Sequence, residues 1–218
     1  MKLVFPLISF LLAFGGFFYG AFHLYRQNVP LYFKLLVSSS GCLVFERLSL
    51  LVSYLTDGYY YVTLGEFGIF ASLLFILSAE YGALDHMVDD GTGTKKYRLV
   101  SLCAPIVSLS ALVAVFLCAR TLGYVVGAVI VCILIPSVPA SYYTFKHFIL
   151  PPDVLGFLSV MRIVNACILM FYGMLFASVI VLLYNNTAGN ILSMITAFLS
   201  ALISILAVKG ERQWIQLI

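Results

Sequence analysis

A helix needs about 20 mostly apolar residues to cross a bilayer's hydrocarbon. This chain offers seven such runs, at residues 3–24, 31–55, 60–83, 99–118, 122–144, 154–184 and 190–208. Backbone groups in hydrocarbon must pair internally, so runs of this length are expected as helices. No stretch shows the ten-residue alternation of a membrane β-barrel. Of 218 residues, 63% are apolar and 10% charged, against about 45–50% and about 25% in soluble domains. Lipid is therefore the expected solvent for most of the surface. The expected fold is all-α: one transmembrane domain over residues 1–218, a bundle of seven helices.

The basic residues orient it. With seven spans, one end of the bundle collects Arg26, Lys34, Lys95, Lys96, Arg98, Lys146, Lys209 and Arg212, and the other only Lys2 and Arg120. Basic residues near span ends stay cytoplasmic, so the N-terminus is expected outside and the C-terminus in the cytoplasm. Tyr54, Tyr59, Tyr60 and Tyr61 fall where an outer aromatic belt belongs, and Trp214 where an inner one does. The N-terminal run extends from Lys2 to Arg26 without an Ala-x-Ala site, which reads as a span and not as a signal peptide. A multi-pass protein of a bacterial plasma membrane is the expected setting. Asn185-Asn186-Thr187 is a sequon at the predicted outer side.

Special residues inside the runs set the expected packing. Pro136 and Pro139 should bend the fifth helix. Gly16 and Gly20, four apart, give the first helix a close-approach face, and Ser38-Ser39-Ser40-Gly41 does similar work on the second. Packing within the bundle is expected from both, and oligomeric state stays open. Cys42, Cys103, Cys118, Cys132 and Cys167 form no CxxC or CxxH pair and read as packing residues.

Ionisable groups at membrane depth cost roughly 2.5–3.5 kcal/mol on insertion scales, so they tend to face the bundle and have a function. Glu46 and Arg47 lie near the middle of helix 2, and Glu66 near the outer end of helix 3. A short link makes those helices neighbours. An outer polar pocket is expected from Glu46, Arg47 and Glu66, with Tyr54 or Tyr61 at its mouth. Two carboxylates against one guanidinium leave one negative charge for a proton, a cation or a ligand to match. Glu80 and Arg162 both fall in the inner half and are expected to form a structural ion pair. His23 and His147 are expected as interfacial anchors.

Several activities find no support. Asp85, His86, Asp89 and Asp90 lack the spacing of a cation-binding loop and sit beside lysines, so no metal or cofactor is expected. HExxH, GxSxG and P-loop signatures are absent, and the last span has no mid-helix lysine for a retinal. No basic surface suggests nucleic acid. An enzyme ranks last among the readings.

Two segments carry a resemblance. Val44-Phe45-Glu46-Arg47-Leu48, then Leu64-Gly65-Glu66-Phe67-Gly68-Ile69-Phe70 with Phe75, Ser78 and Tyr81-Gly82, resemble the N-terminal seven-helix sensor region of bacterial histidine kinases. In that family helix 2 carries an acid, matched by Glu46, and helix 3 a Gln-Tyr-x-Gly-like step, where Glu66-Phe67 stands. The resemblance implies a sensor. Because no output domain follows the seventh run, a stand-alone module is expected. It would bind a small or lipid-like ligand in the outer half and signal to a cytoplasmic or membrane partner. That partner would meet the inner loops, with Lys95, Lys96, Arg98 and Lys146, or residues 211–218. The alternative is a small transporter hinged at Pro136 and Pro139.

Overall fold

The computed structural model describes residues 3–25, 28–56, 65–85, 95–150 and 157–217, without the side chains of 95, 157–160, 216 and 217. All regular structure among them is helical, and seven helices are long and apolar enough to cross a membrane. They are α1 (Val4–Leu24), α2 (Leu31–Leu55), α3 (Glu66–Leu77), α4 (Lys95–Ser101, then Cys103–Ala119), α5 (Tyr124–Leu134, then Ser137–Ile149), α6 (Phe157–Tyr184) and α7 (Asn186–Leu217). Directly after Leu77, α3 continues as a π-helix over Ser78–Asp85. This is a multi-pass membrane architecture.

The boundaries depart from expectation mainly at the basic end, where α1–α2, α3–α4 and α5–α6 are linked. There α5 runs to Ile149, and α7 runs to Leu217 instead of stopping at 208. Most of the expected free tail is therefore helix. Trp214 packs on the core and holds that extension to the bundle. The expected start of the third span at residue 60 falls outside the described residues.

Five helices form a ring in the order α2, α3, α5, α6, α7, each against the next, with α7 also against α2. α1 lies on the α2–α7 seam and α4 on the α5–α6 seam. Small residues explain α1. Its buried face is Ser9, Ala13, Gly16 and Gly20, spaced three or four apart, while Phe14, Phe18 and Phe22 point outward. A Cβ on Gly16 would stand 2.4 Å from Ala201 Cα, and one on Gly20 would stand 2.7 Å from Val37. Apolar burial gives little drive between helices already in lipid, so close backbone approach and interhelical hydrogen bonds do the work. α1 supplies the first, and the α2–α7 seam the second: Ser200 Oγ and Ser204 Oγ donate to Ser40 Oγ at 3.1 and 2.7 Å. Such bonds average about 0.6 kcal/mol in a bilayer protein.

A bend at Pro136 and Pro139 is expected in α5, and the structure has an interruption at Pro136. The helix stops at Leu134 and restarts at Ser137. Pro139 then falls in a first turn, where a missing N–H is tolerated. At the other end of the bundle, α6 and α7 are separated by one residue. Asn185 Oδ1 accepts from the N–H groups of Thr187 and Ala188 at 3.0 and 3.1 Å, a side-chain cap on α7. The sequon asparagine thus has a structural role.

Candidate functional site

Two polar clusters occupy the interior of the ring. The first lies toward the end at which α2 meets α3 and α6 meets α7. Gly68 brings α3 onto α2: a Cβ there would meet the Cys42 carbonyl oxygen at 2.5 Å and Glu46 Cβ at 3.0 Å. The close approach gathers Glu46, Arg47 and Glu66 around one cavity of about 60 Å³, closed by Leu50, Leu182 and the Ser178 and Ser193 side chains. The expected grouping of these three residues is what the structure contains.

Their bonding is uneven. Arg47 is 3% exposed, and its two terminal nitrogens donate to Ser193 Oγ and, at 2.7 Å, to Thr196 Oγ1. Its Nε lies 2.9 Å from Glu46 Oε2. That contact is electrostatic only, because neither atom reaches hydrogen-bond alignment. The Arg47 donors thus go mainly to α7, and Glu46 is buried with little to hold its charge. Tyr54 sits two turns further along α2 and accepts a 2.8 Å bond from Asn190 Nδ2, tying α2 to α7 near the cavity. Tyr61 lies outside the described residues.

The second cluster lies toward the basic end. Here the expected Glu80–Arg162 pair is replaced. Glu80, fully buried, accepts from Tyr32 at Oε1 (3.0 Å) and contacts His147 Nδ1 through Oε2 (2.8 Å). His147 Nε2 meets Asp85 Oδ1 at 3.1 Å, and Lys146 Nζ donates to the same oxygen at 2.5 Å. The Tyr32 hydroxyl also lies 3.2 Å from Asn165 Oδ1. Arg162, one turn before Asn165, donates instead to the Leu150 carbonyl at 2.7 Å. It is thereby engaged with the carbonyl that ends α5.

The π-helix explains how one imidazole reaches two acids on one helix. At 3.6 residues per turn, positions five apart point about 140° from each other. At about 4.4 residues per turn they fall within about 50°, nearly one above the other. Glu80 and Asp85 are five apart and both lie in the π segment. His147 is therefore not an interfacial anchor, and Lys146, 2% exposed, is not a loop contact. Both lie on the last turns of α5, whose buried face reads Ser137, Ser141, Thr144 and His147. That polar stripe, three or four residues apart, was the available sequence signal. His23 keeps a rim position, its ring against Tyr19.

Tyr32 and Glu46 are fourteen residues apart on α2, as Glu66 and Glu80 are along α3, which separates the clusters by about 21 Å. Between them come buried Leu36, Leu43, Leu73, Ile168 and Phe171, all in one apolar core. Among the described residues no group of three or more His, Cys, Asp or Glu is suited to a metal ion. No family model, curated protein or solved structure matches this chain. Fold and sites together define a class only: a seven-helix membrane bundle with an ionisable cluster toward each end of its interior.

Proposed function

We propose that the chain is a membrane sensor whose ligand presents a cationic group to the Glu46–Arg47–Glu66 cavity. The observation that carries this is the cavity's charge. Two carboxylates face one guanidinium already engaged with α7 hydroxyls. A cavity of about 60 Å³ takes a few waters or one small cationic group, while pockets for whole drug-sized ligands run to about 300–1,000 Å³. A lipid-like ligand would insert its head there and leave its tail in the bilayer. The resemblance around Glu46 and Glu66 to kinase sensor regions supports the same reading.

In this proposal the basic end is cytoplasmic, by the eight basic residues against two. A signalling partner would meet Lys96, Arg98, Lys209 and Arg212, all exposed there. The signal would travel in α2, α3 and α6, which each contribute to both clusters.

The test is thermal stability in lipid nanodiscs with sodium, ammonium or dodecylamine as probes. At least one is expected to raise the Tm of the wild type and to leave Glu46→Gln and Glu66→Gln unchanged. If no cation distinguishes the wild type from these variants, the reading fails. The transporter reading draws on one observation: α5 is broken at Pro136, and its second half brings His147 and Lys146 into the interior. Cation uptake into proteoliposomes, abolished in Glu46→Gln, would put that reading first.

A further inference from the structure

We propose that the Glu80–His147–Asp85 bridge is a proton-binding site loaded from the basic end of the bundle, with Asp85 as its port. This goes beyond the cavity at the other end and does not depend on it.

The geometry calls for one more proton than a neutral ring supplies. A neutral imidazole has one N–H and can donate to one acceptor only. His147 has a carboxylate oxygen at each nitrogen, 2.8 Å from Nδ1 and 3.1 Å from Nε2. Satisfying both contacts takes one more proton than a neutral ring and two carboxylates hold, placed on the ring or on an acid. With it, His147 and Lys146 balance Glu80 and Asp85. Without it, one anion is in excess and one of the two His147 contacts to the π-helix is lost.

The route follows from exposure. The side chains of Glu80 and His147 are wholly buried, and that of Lys146 is 3% exposed, but that of Asp85 is 17% exposed. A proton entering at Asp85 passes from Oδ1 to His147 Nε2. The proton on Nδ1 moves to Glu80 Oε2, and the ring is left neutral in its other tautomer. Protonated Glu80 no longer needs the Tyr32 hydroxyl. Tyr32 has one proton and two acceptors within reach, Glu80 at 3.0 Å and Asn165 at 3.2 Å, so loading turns that proton toward Asn165 on α6. Among the described residues Asn165 Nδ2 has no hydrogen-bond partner, which leaves α6 room to rearrange its bonding.

Among the described residues few other ionisable groups lie nearby. Tyr143 packs at a tilt against Tyr81, 5.0 Å between centroids. Arg98 of α4 is exposed, and Arg162 of α6 is turned to Leu150. Among the described residues the charged groups at the bridge are Lys146, Asp85, His147 and Glu80.

The experiment uses full-length protein in nanodiscs carrying His23→Asn and His86→Asn, so that His147 is the only histidine. The imidazole is labelled with nitrogen-15 and followed by NMR from about pH 5 to about pH 8. The expected result is that the ring carries one proton at both ends of the range and changes tautomer, from Nδ1–H at the basic end to Nε2–H at the acid end. In Asp85→Asn, exchange of the ring N–H with water should slow by at least about a hundredfold. A ring that keeps the same tautomer throughout overturns the proposal, as does unchanged exchange in a folded Asp85→Asn. Should Asp85→Asn fail to fold, the titration with Asp85 intact decides alone.

Discussion

The two clusters share one ring of helices and are built in opposite ways. At the basic end both Glu80 oxygens have partners, from α2 and α5, and Asp85 is held by His147 and Lys146. At the other end the charged partner of Glu46 among the described residues is Arg47, its neighbour in the chain, and that arginine is drawn away to Ser193 and Thr196. Both are ions in a low-dielectric interior, where an unmatched charge costs several kcal/mol. The first arrangement ties three elements together. The second leaves its carboxyl groups with few partners among the described residues, which a proton, a cation or a ligand would complete.

The comparison breaks most readily at His147. His147→Leu removes the bridge and leaves two acids with one lysine, so unfolding in denaturant should show a loss of about 3–5 kcal/mol, as when a buried pair loses a partner. A loss no larger than that of Glu46→Gln would erase the distinction between the clusters. Gly68→Ala comes next. Its Cβ would stand 2.5 Å from a backbone carbonyl on α2, so overpacking should cost about 1–3 kcal/mol. Because α3 must move off α2, the same variant should blunt the Tm response to cationic probes. Tyr54→Phe deletes the Asn190 bond and should cost about 1 kcal/mol with the cavity intact. The smallest effect belongs to Gly15→Ala. Nothing lies within 4 Å of a Cβ there, so the helix should gain about 0.5–1 kcal/mol, a control for reading Gly68→Ala.

The contrast also marks how far the sequence could be read. The seven spans were legible because lipid demands length and apolarity together, and α1 and α2 match their expected bounds closely. The cavity cluster was legible because Glu46 and Arg47 interrupt an apolar run, and a short link places α3 beside α2. The bridge was not. Pairing Glu80 with Arg162 follows from depth alone, whereas the actual partner is set by helical register. An α-helical α3 would point Asp85 away from Glu80, and nothing in Ser78–Asp85 announces a π-helix. Lys146 and His147 were read as rim residues because hydropathy fades after residue 144. The polar face of Ser137, Ser141 and Thr144 carries the helix on to Ile149 and turns them inward.

The central claim is that the Glu46–Arg47–Glu66 cavity is kept for a ligand and the bridge for the fold and its proton. The unfolding free energy of Glu66→Gln, measured without added cations other than buffer, tests it most directly. Removing a surplus anion from a site built for binding should leave stability equal to the wild type or higher. A loss of about 3 kcal/mol or more, as for a broken buried pair, would contradict the account and make both clusters structural.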